Sequence, residues 1–241
     1  MQRGSEQYWM RRHPVRFTVG FVACGLVFAS ASCGGASLGT PAPIPDTDQA
    51  IRRALRDNPF PNTSQIIFHW NLREPDLRLE GGGAARLQNP DRARLDLFTE
   101  NGEAVLEAIL VEDQIRAREG TQLEVVPSPA LLWASLGVFR PGESATLLNA
   151  ERFDGDVERL SYRLPDGDEL RYLLRSGRMT EVELRHEGSA AHRVALKWED
   201  GGELPKEATY RNLARFSELK VTVEIVERVD SHPSDIWYLD R

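Results

Sequence analysis

Short segments in which apolar and polar residues alternate recur through most of this chain. Turn residues separate them about every eight to twelve positions, a spacing typical of antiparallel all-β proteins. The alternation places apolar side chains on one face of each strand and polar side chains on the other. The chain is therefore predicted to be mainly β, with about 10–11 antiparallel strands. The predicted strands lie at 66–73, 77–87, 93–97, 104–111, 114–118, 157–164, 170–175, 178–185, 191–198, 208–213 and 219–225.

Three consecutive glycines, Gly81 to Gly83, lie inside the second predicted strand. Glycine weakens a strand interior and is common where a strand bends or carries a bulge. No Gly-Lys-Ser or Gly-Lys-Thr sequence follows and no helix begins there, so the pattern is not that of a phosphate-binding loop. We therefore expect a bulge or bend at these glycines, as at a barrel corner.

Two regions of the chain predict helices instead of strands. The segment 128–139 begins with Ser-Pro, residue types favoured at a helix cap and first position. Within it, Leu132, Leu136 and Phe139 share one face at three- and four-residue spacing. Such an apolar helix must bury itself against the sheet. A second short helix is expected around 143–148, and another at 49–57.

Residues 1–32 have the organisation of an export signal. Arg11 and Arg12 precede an apolar run at 17–31, which ends in small residues. The residues before Met10 are atypical of such a signal, so Met10 is the expected true start.

Two cleavage sites compete at the end of this signal. Residues 29–31, Ala-Ser-Ala, fit ordinary signal peptidase, which releases a soluble protein. Residues 30–33 resemble a bacterial lipobox, in which Cys33 is acylated and becomes the first residue. We favour the lipobox because Cys33 directly follows the apolar run and residues 33–48 have the composition of a flexible tether.

Acylation of Cys33 implies attachment to a membrane without a spanning helix. By resemblance to Gram-negative sorting, Gly34 after the cysteine indicates the outer membrane, facing the periplasm. The expected organisation is a signal at 1–32, a lipidated tether at 33–48, a folded domain at 49–229 and a tail at 230–241.

Several classes of function have no support in the sequence. The net charge of −7 argues against a nucleic-acid partner. Because both cysteines, Cys24 and Cys33, precede the domain, no thiolate metal site or catalytic cysteine is expected in it. His186 and His192 flank one turn and can face each other, but a metal site needs a third ligand, so surface histidines are favoured. With no catalytic motif found, we predict a non-enzymatic protein without a metal or cofactor.

The order of these elements resembles the LolA/LolB-like lipoprotein-carrier superfamily. The segment 89–98, followed by a glycine turn at 101–102 and Val105, is similar to a basic-apolar strand of LolB-like proteins that ends in phenylalanine. The segment 129–148 occupies the place of the family's lid helices. The resemblance covers about 46–225 and implies an open antiparallel half-barrel whose concave face is covered by helices.

The resemblance implies a membrane-anchored envelope lipoprotein that binds acyl chains or acylated lipoproteins, with a role in outer-membrane lipoprotein localisation. A half-barrel with few helices leaves an apolar hollow, and burying each CH₂ there contributes about 0.8 kcal/mol. The expected partners are membrane lipid or an acylated lipoprotein. The predicted cavity residues, each of which is equally suited to a core, are Phe68, Trp70, Leu95, Leu97, Leu132, Trp133, Leu136 and Phe139.

Two other functions stay open at this point. The first is a non-catalytic sensor or scaffold lipoprotein that binds an envelope protein partner, as RseB-like domains do. The second is an envelope hydrolase, for which the sequence offers no candidate set of catalytic residues. For Trp133, core packing is favoured over contact with a ligand.

Overall fold

The computed structural model describes residues 38–118 and 126–239. The predicted export signal, its alternative start at Met10, Cys24 and Cys33 lie outside the described residues. No helix in the described ranges is long and apolar enough to cross a membrane.

The described strands form one open antiparallel sheet of 13 strands, which confirms the predicted class. Its order is β1-β7-β8-β9-β10-β11-β12-β13-β2-β3-β4-β5-β6. The bounds are β1 Ala42–Pro43, β2 Ser64–Arg73, β3 Arg78–Gln88, β4 Arg92–Thr99, β5 Ala104–Val111, β6 Gln114–Ala117, β7 Thr146–Phe153, β8 Val157–Arg163, β9 Glu169–Arg175, β10 Arg178–His186, β11 Ser189–Lys197, β12 Glu207–Asn212 and β13 Ser217–Arg228.

Two meanders, β2 to β6 and β7 to β13, make up this sheet, and a single pairing joins them. The last strand, β13, runs antiparallel to β2 from Glu218 opposite Arg73 to Arg228 opposite Ser64. The first and the last long strands of the chain, β2 and β13, therefore pair with each other inside the sheet. The two edges are the short strands β1 and β6, which limits the exposed backbone available for unwanted pairing.

Helix α1, Thr47–Asp57, begins two residues before the predicted 49–57. The Asp46 side chain accepts a hydrogen bond from the Gln49 backbone N–H at 2.8 Å. At the other end, the buried side chain of Asn58 donates to the Gly177 carbonyl at 2.8 Å and accepts from the Met179 N–H at 2.8 Å. This amide therefore ties the end of α1 to the turn between β9 and β10.

Helix α2, Pro129–Ser135, is shorter than the predicted 128–139. It ends before Gly137, whose φ of +79° is in the left-handed region. A side chain at Gly137 would also contact the Trp198 ring at 2.6 Å, so glycine is required there for packing too. The second helix predicted around 143–148 is wrong, because Thr146–Phe153 is strand β7 and pairs with β8. One helix, rather than a pair, therefore occupies the segment 129–148.

Both ends of the described domain extend beyond the predicted limits. Ala42–Pro43, within the predicted tether, pairs with β7, and Ile44 is buried. The predicted tail contains a short 3₁₀ helix, Ser234–Trp237. The Arg94 guanidinium donates to the Ile236 carbonyl at 2.8 Å, so this tail packs against the sheet.

The predicted bulge at the three glycines is wrong. Strand β3 pairs with both β2 and β4 through them without a shift in register. Two of the glycines instead allow close approach, Gly83 to the Phe68 ring and Gly81 to the Phe98 backbone carbonyl. Trp70 lies opposite Gly81, and its indole N–H donates to the carbonyl oxygens of Gly82 at 2.9 Å and Phe98 at 3.1 Å.

Replacing two adjacent glycines should therefore give opposite results. In Gly81→Ala, the new methyl group overlaps the Phe98 carbonyl oxygen, so the free energy of unfolding should fall by about 1–3 kcal/mol or more. In Gly82→Ala, nothing lies within 4 Å of the methyl group, and stability should stay within about 1 kcal/mol of the parent. Denaturant unfolding measures both values, and equal stability of the two variants would contradict the close approach.

Candidate ligand-binding site

The apolar face of the sheet, called here the inner face, carries α2 between two hydrophobic clusters. Leu131 and Ala134 belong to the first cluster, which contains inner-face residues of β7 to β12 and α1. Leu132 and Trp133 belong to the second cluster, which contains inner-face residues of β2 to β5. Adjacent residues of one short helix therefore pack into separate halves of the inner face.

Aromatic side chains fill the first half. The rings of Phe139 and Tyr172 have centroids 4.5 Å apart, and Tyr162 meets Tyr172 edge-on at 6.1 Å. Burial raises the pKa of Tyr162 to about 12, so its phenol stays protonated. This half of the inner face is a packed core.

The second half contains an apolar cavity of about 100 Å³, called here the inner cavity. It lies between α2 and the sheet, beside the turn that contains Leu204 and Pro205. Ser135 and Tyr210 are its polar lining residues. The apolar lining residues are Ile66, Phe68, Ala85, Leu95, Leu97, Leu106, Pro127, Leu132, Leu136, Leu204, Pro205, Ala208, Leu219, Val221 and Val223.

A larger cavity of about 400 Å³, called here the outer cavity, adjoins it. That volume lies in the range of small-molecule binding sites. The walls common to both cavities are Leu97, Leu106, Pro127, Tyr210 and Leu219.

The outer cavity opens among hairpin turns at one end of the sheet. Leu77 and Val105 line it and are 41% and 42% exposed. Phe216, in the turn between β12 and β13, is 81% exposed and follows the lining residue Arg215. The opening of the outer cavity, called here the mouth, therefore has a group of exposed apolar side chains, a feature that often marks a binding site.

The structure distributes the eight predicted cavity residues among three environments. Phe68, Leu95, Leu97, Leu132 and Leu136 line the inner cavity. Trp70 and Leu97 line the outer cavity.

Trp133 and Phe139 line neither cavity. Trp133 is fully buried, donates from its indole N–H to the Glu112 carbonyl at 2.6 Å and packs edge-on against Phe60. Phe139 belongs to the aromatic core of the first half. Core packing, the favoured interpretation for Trp133, agrees with its position.

The sequence pattern alone does not mark several of the wall residues as cavity residues. Leu219, Val221 and Val223 belong to an alternation that was recognised as a strand, but its partner strand was unknown. Leu204 and Pro205 lie in a turn, where no periodic signal marks an inward side chain. Tyr210 is the polar group that the two cavities share.

A histidine accompanies that tyrosine. The Tyr210 hydroxyl lies 2.8 Å from His192 Nδ1, and the rings stack with centroids 5.8 Å apart. Burial raises the pKa of Tyr210 to about 12 and lowers the pKa of His192. Both side chains are therefore neutral at physiological pH and contribute dipoles, not charge, to the site.

The two candidate histidines do not face each other. His186 lies opposite Ser189, and its Nδ1 meets the Asp168 carboxylate at 2.7 Å, a hydrogen bond that raises the pKa of His186. His192 lies opposite Leu184. Within the described ranges, no three histidine, cysteine, aspartate or glutamate side chains are grouped as metal ligands would be.

Comparisons with known proteins identify the fold. No family model and no curated protein matches the chain. Among solved structures, a LolA superfamily protein from Nitrosomonas europaea is 9% identical, with a TM-score of 0.55 over 80% of this chain and 97% of that chain. A putative outer membrane lipoprotein-sorting protein domain from Vibrio parahaemolyticus is 10% identical, with a TM-score of 0.51 over 79% of this chain and 94% of that chain.

At these identities the likeness establishes architecture. The chain has the LolA-like fold, an open antiparallel half-barrel, and the fold implied by the sequence resemblance is confirmed.

Proposed function

We propose that this protein is a lipid-anchored lipoprotein of the bacterial cell envelope that binds acyl chains between α2 and the inner face. The observation that carries this proposal is the pair of adjoining cavities with predominantly apolar walls. The LolA-like fold and the likeness to the lipoprotein-sorting protein domain from Vibrio support an envelope carrier.

The walls suit an acyl chain better than a polar ligand. Apart from Ser135 and Tyr210, the inner cavity offers a bound molecule only apolar side chains. A polar group buried there without a hydrogen bond would cost roughly 2–7 kcal/mol, whereas each buried CH₂ contributes about 0.8 kcal/mol. Because the outer cavity continues from the inner one, a chain can enter at the mouth and extend towards α2.

The anchor is part of the same proposal. Acylation at Cys33 would place the domain at the membrane surface, where acyl-bearing molecules are concentrated. Glycine at position 34 favours the outer membrane over the inner one as the site of attachment.

Blocking the junction of the two cavities should weaken acyl-chain binding. Leu219 lines both cavities, and Leu219→Trp would fill the space between them. Excluding two or more methylene groups should weaken binding of a fluorescent palmitate analogue by about tenfold or more.

The matched control is Lys220→Trp on the same strand. The Lys220 side chain is 44% exposed and pairs with Glu207 on the opposite face of the sheet. This variant should bind the analogue like the parent. Equal binding by both variants, with both folded by circular dichroism, would mean that the ligand lies elsewhere.

Replacing the proposed lipidation site should release the protein from the membrane. Cys33→Ser should move it from the membrane fraction to the soluble fraction and remove the acyl mass from the intact protein. Cys24→Ser is the matched control and should leave both unchanged, because that position lies within the predicted signal. A membrane-extracted parent protein without acyl mass would instead indicate cleavage after Ala31.

A further inference from the structure

We propose that the site selects acyl chains with an anionic headgroup, a carboxylate or a phosphate, and that Arg215 binds this headgroup in the outer cavity. This inference rests on the proposed acyl-chain function and adds the chemical class of the ligand.

The two cavities differ in the chemistry of their walls. The inner cavity is lined by apolar residues together with Ser135 and Tyr210. The outer cavity shares Tyr210 with it, and its other polar or charged lining residues are Glu74, Asn212, Arg215 and Ser217. Because the cavities adjoin, a ligand that spans them meets an apolar wall at one end and charged groups at the other. This arrangement matches an amphiphile with its headgroup towards the mouth.

Arg215 lines the outer cavity and differs in its pairing from the nearby Arg211. Arg211, on the outer face of β12, binds the Glu218 carboxylate at 2.7 Å. Within the described part of the chain, no carboxylate lies within 4.0 Å of the Arg215 guanidinium. Guanidinium groups bind carboxylate and phosphate oxygens through paired, charge-assisted hydrogen bonds, so an unpaired one at a cavity mouth suits an anion.

The backbone at Arg215 is held in place. The Asn212 side-chain oxygen accepts hydrogen bonds from the Ala214 N–H at 3.2 Å and the Arg215 N–H at 3.0 Å. These bonds fix the backbone of the turn between β12 and β13, from which the exposed Arg215 side chain extends.

The remaining groups supply little competing charge. Tyr210 and His192 are neutral and hydrogen-bonded to each other. Glu74 is the one carboxylate among the described lining residues, and it belongs to the separate turn that joins β2 to β3. An anionic headgroup therefore binds on the Arg215 side of the mouth and away from Glu74.

Competition binding separates the headgroup from the chain. The purified full chain is loaded with a neutral pyrene-labelled alkanol, which is displaced by palmitate, lysophosphatidic acid or hexadecanol. The parent protein should prefer at least one of the two anionic ligands over hexadecanol. Arg215→Gln should reduce that preference by about tenfold and leave hexadecanol binding unchanged.

The control variant is Arg211→Gln, which removes a guanidinium from the outer face and should keep the parent's preference. The palmitate and lysophosphatidic acid series show whether the preferred anion is a carboxylate or a phosphate. An unchanged preference in Arg215→Gln, while all ligands still bind, would overturn the headgroup assignment alone. If the parent protein binds none of these ligands, the acyl-chain function fails, and this inference fails with it.

Discussion

The position of α2 on the inner face is the constraint on which the rest of the site depends. A helix of seven residues covers only part of a 13-stranded sheet. The Trp133 indole holds it to the Glu112 carbonyl at 2.6 Å, while Leu131 and Leu132 pack into opposite clusters. The half of the inner face formed by β7 to β12 is thereby filled as a packed core. The other half keeps a cavity, because no second helix follows in the segment 129–148.

The outer face of the sheet explains why the apolar surface is confined to one side. Arginine and acidic side chains pair across it, as in Arg159 with Glu151 at 2.6 Å and Arg193 with Glu183 at 2.9 Å. Each pair at such partly exposed positions contributes little to stability. Together they keep this face solvated, so an apolar molecule finds a complementary surface only on the inner face and at its mouth.

Sequence alone predicted most strands because period-two patterning reports directly which side chains share a face. It failed where that signal is absent. In β7, exposed and half-buried positions follow each other irregularly, and β1 is two residues long and contains a proline. The glycines were misinterpreted because the close approach of Phe98 to Gly81 and of Phe68 to Gly83 follows from the strand register, which the sequence does not show.

The sequence predicts which side chains point to the inner face, but not whether they line a cavity or belong to a packed core. Alternation placed Phe68 and Leu95 on the inner face, where they line the cavity. The helical spacing in the segment 128–139 selected Phe139 as well, but this residue lies in the aromatic core. Whether space remains in front of a residue depends on helix length and on strand partners. The contact between Tyr210 and His192 depends in the same way on the register of β11 with β12.

Native mass spectrometry of the protein extracted from its own membrane tests the central claim most directly. A protein that binds acyl chains should show a stoichiometric adduct with the mass of an acyl-bearing molecule, in addition to any lipid attached covalently at Cys33. A protein of the expected covalent mass alone, which also fails to take up a fluorescent palmitate analogue, would contradict it. That result would favour a scaffold that binds an envelope protein partner.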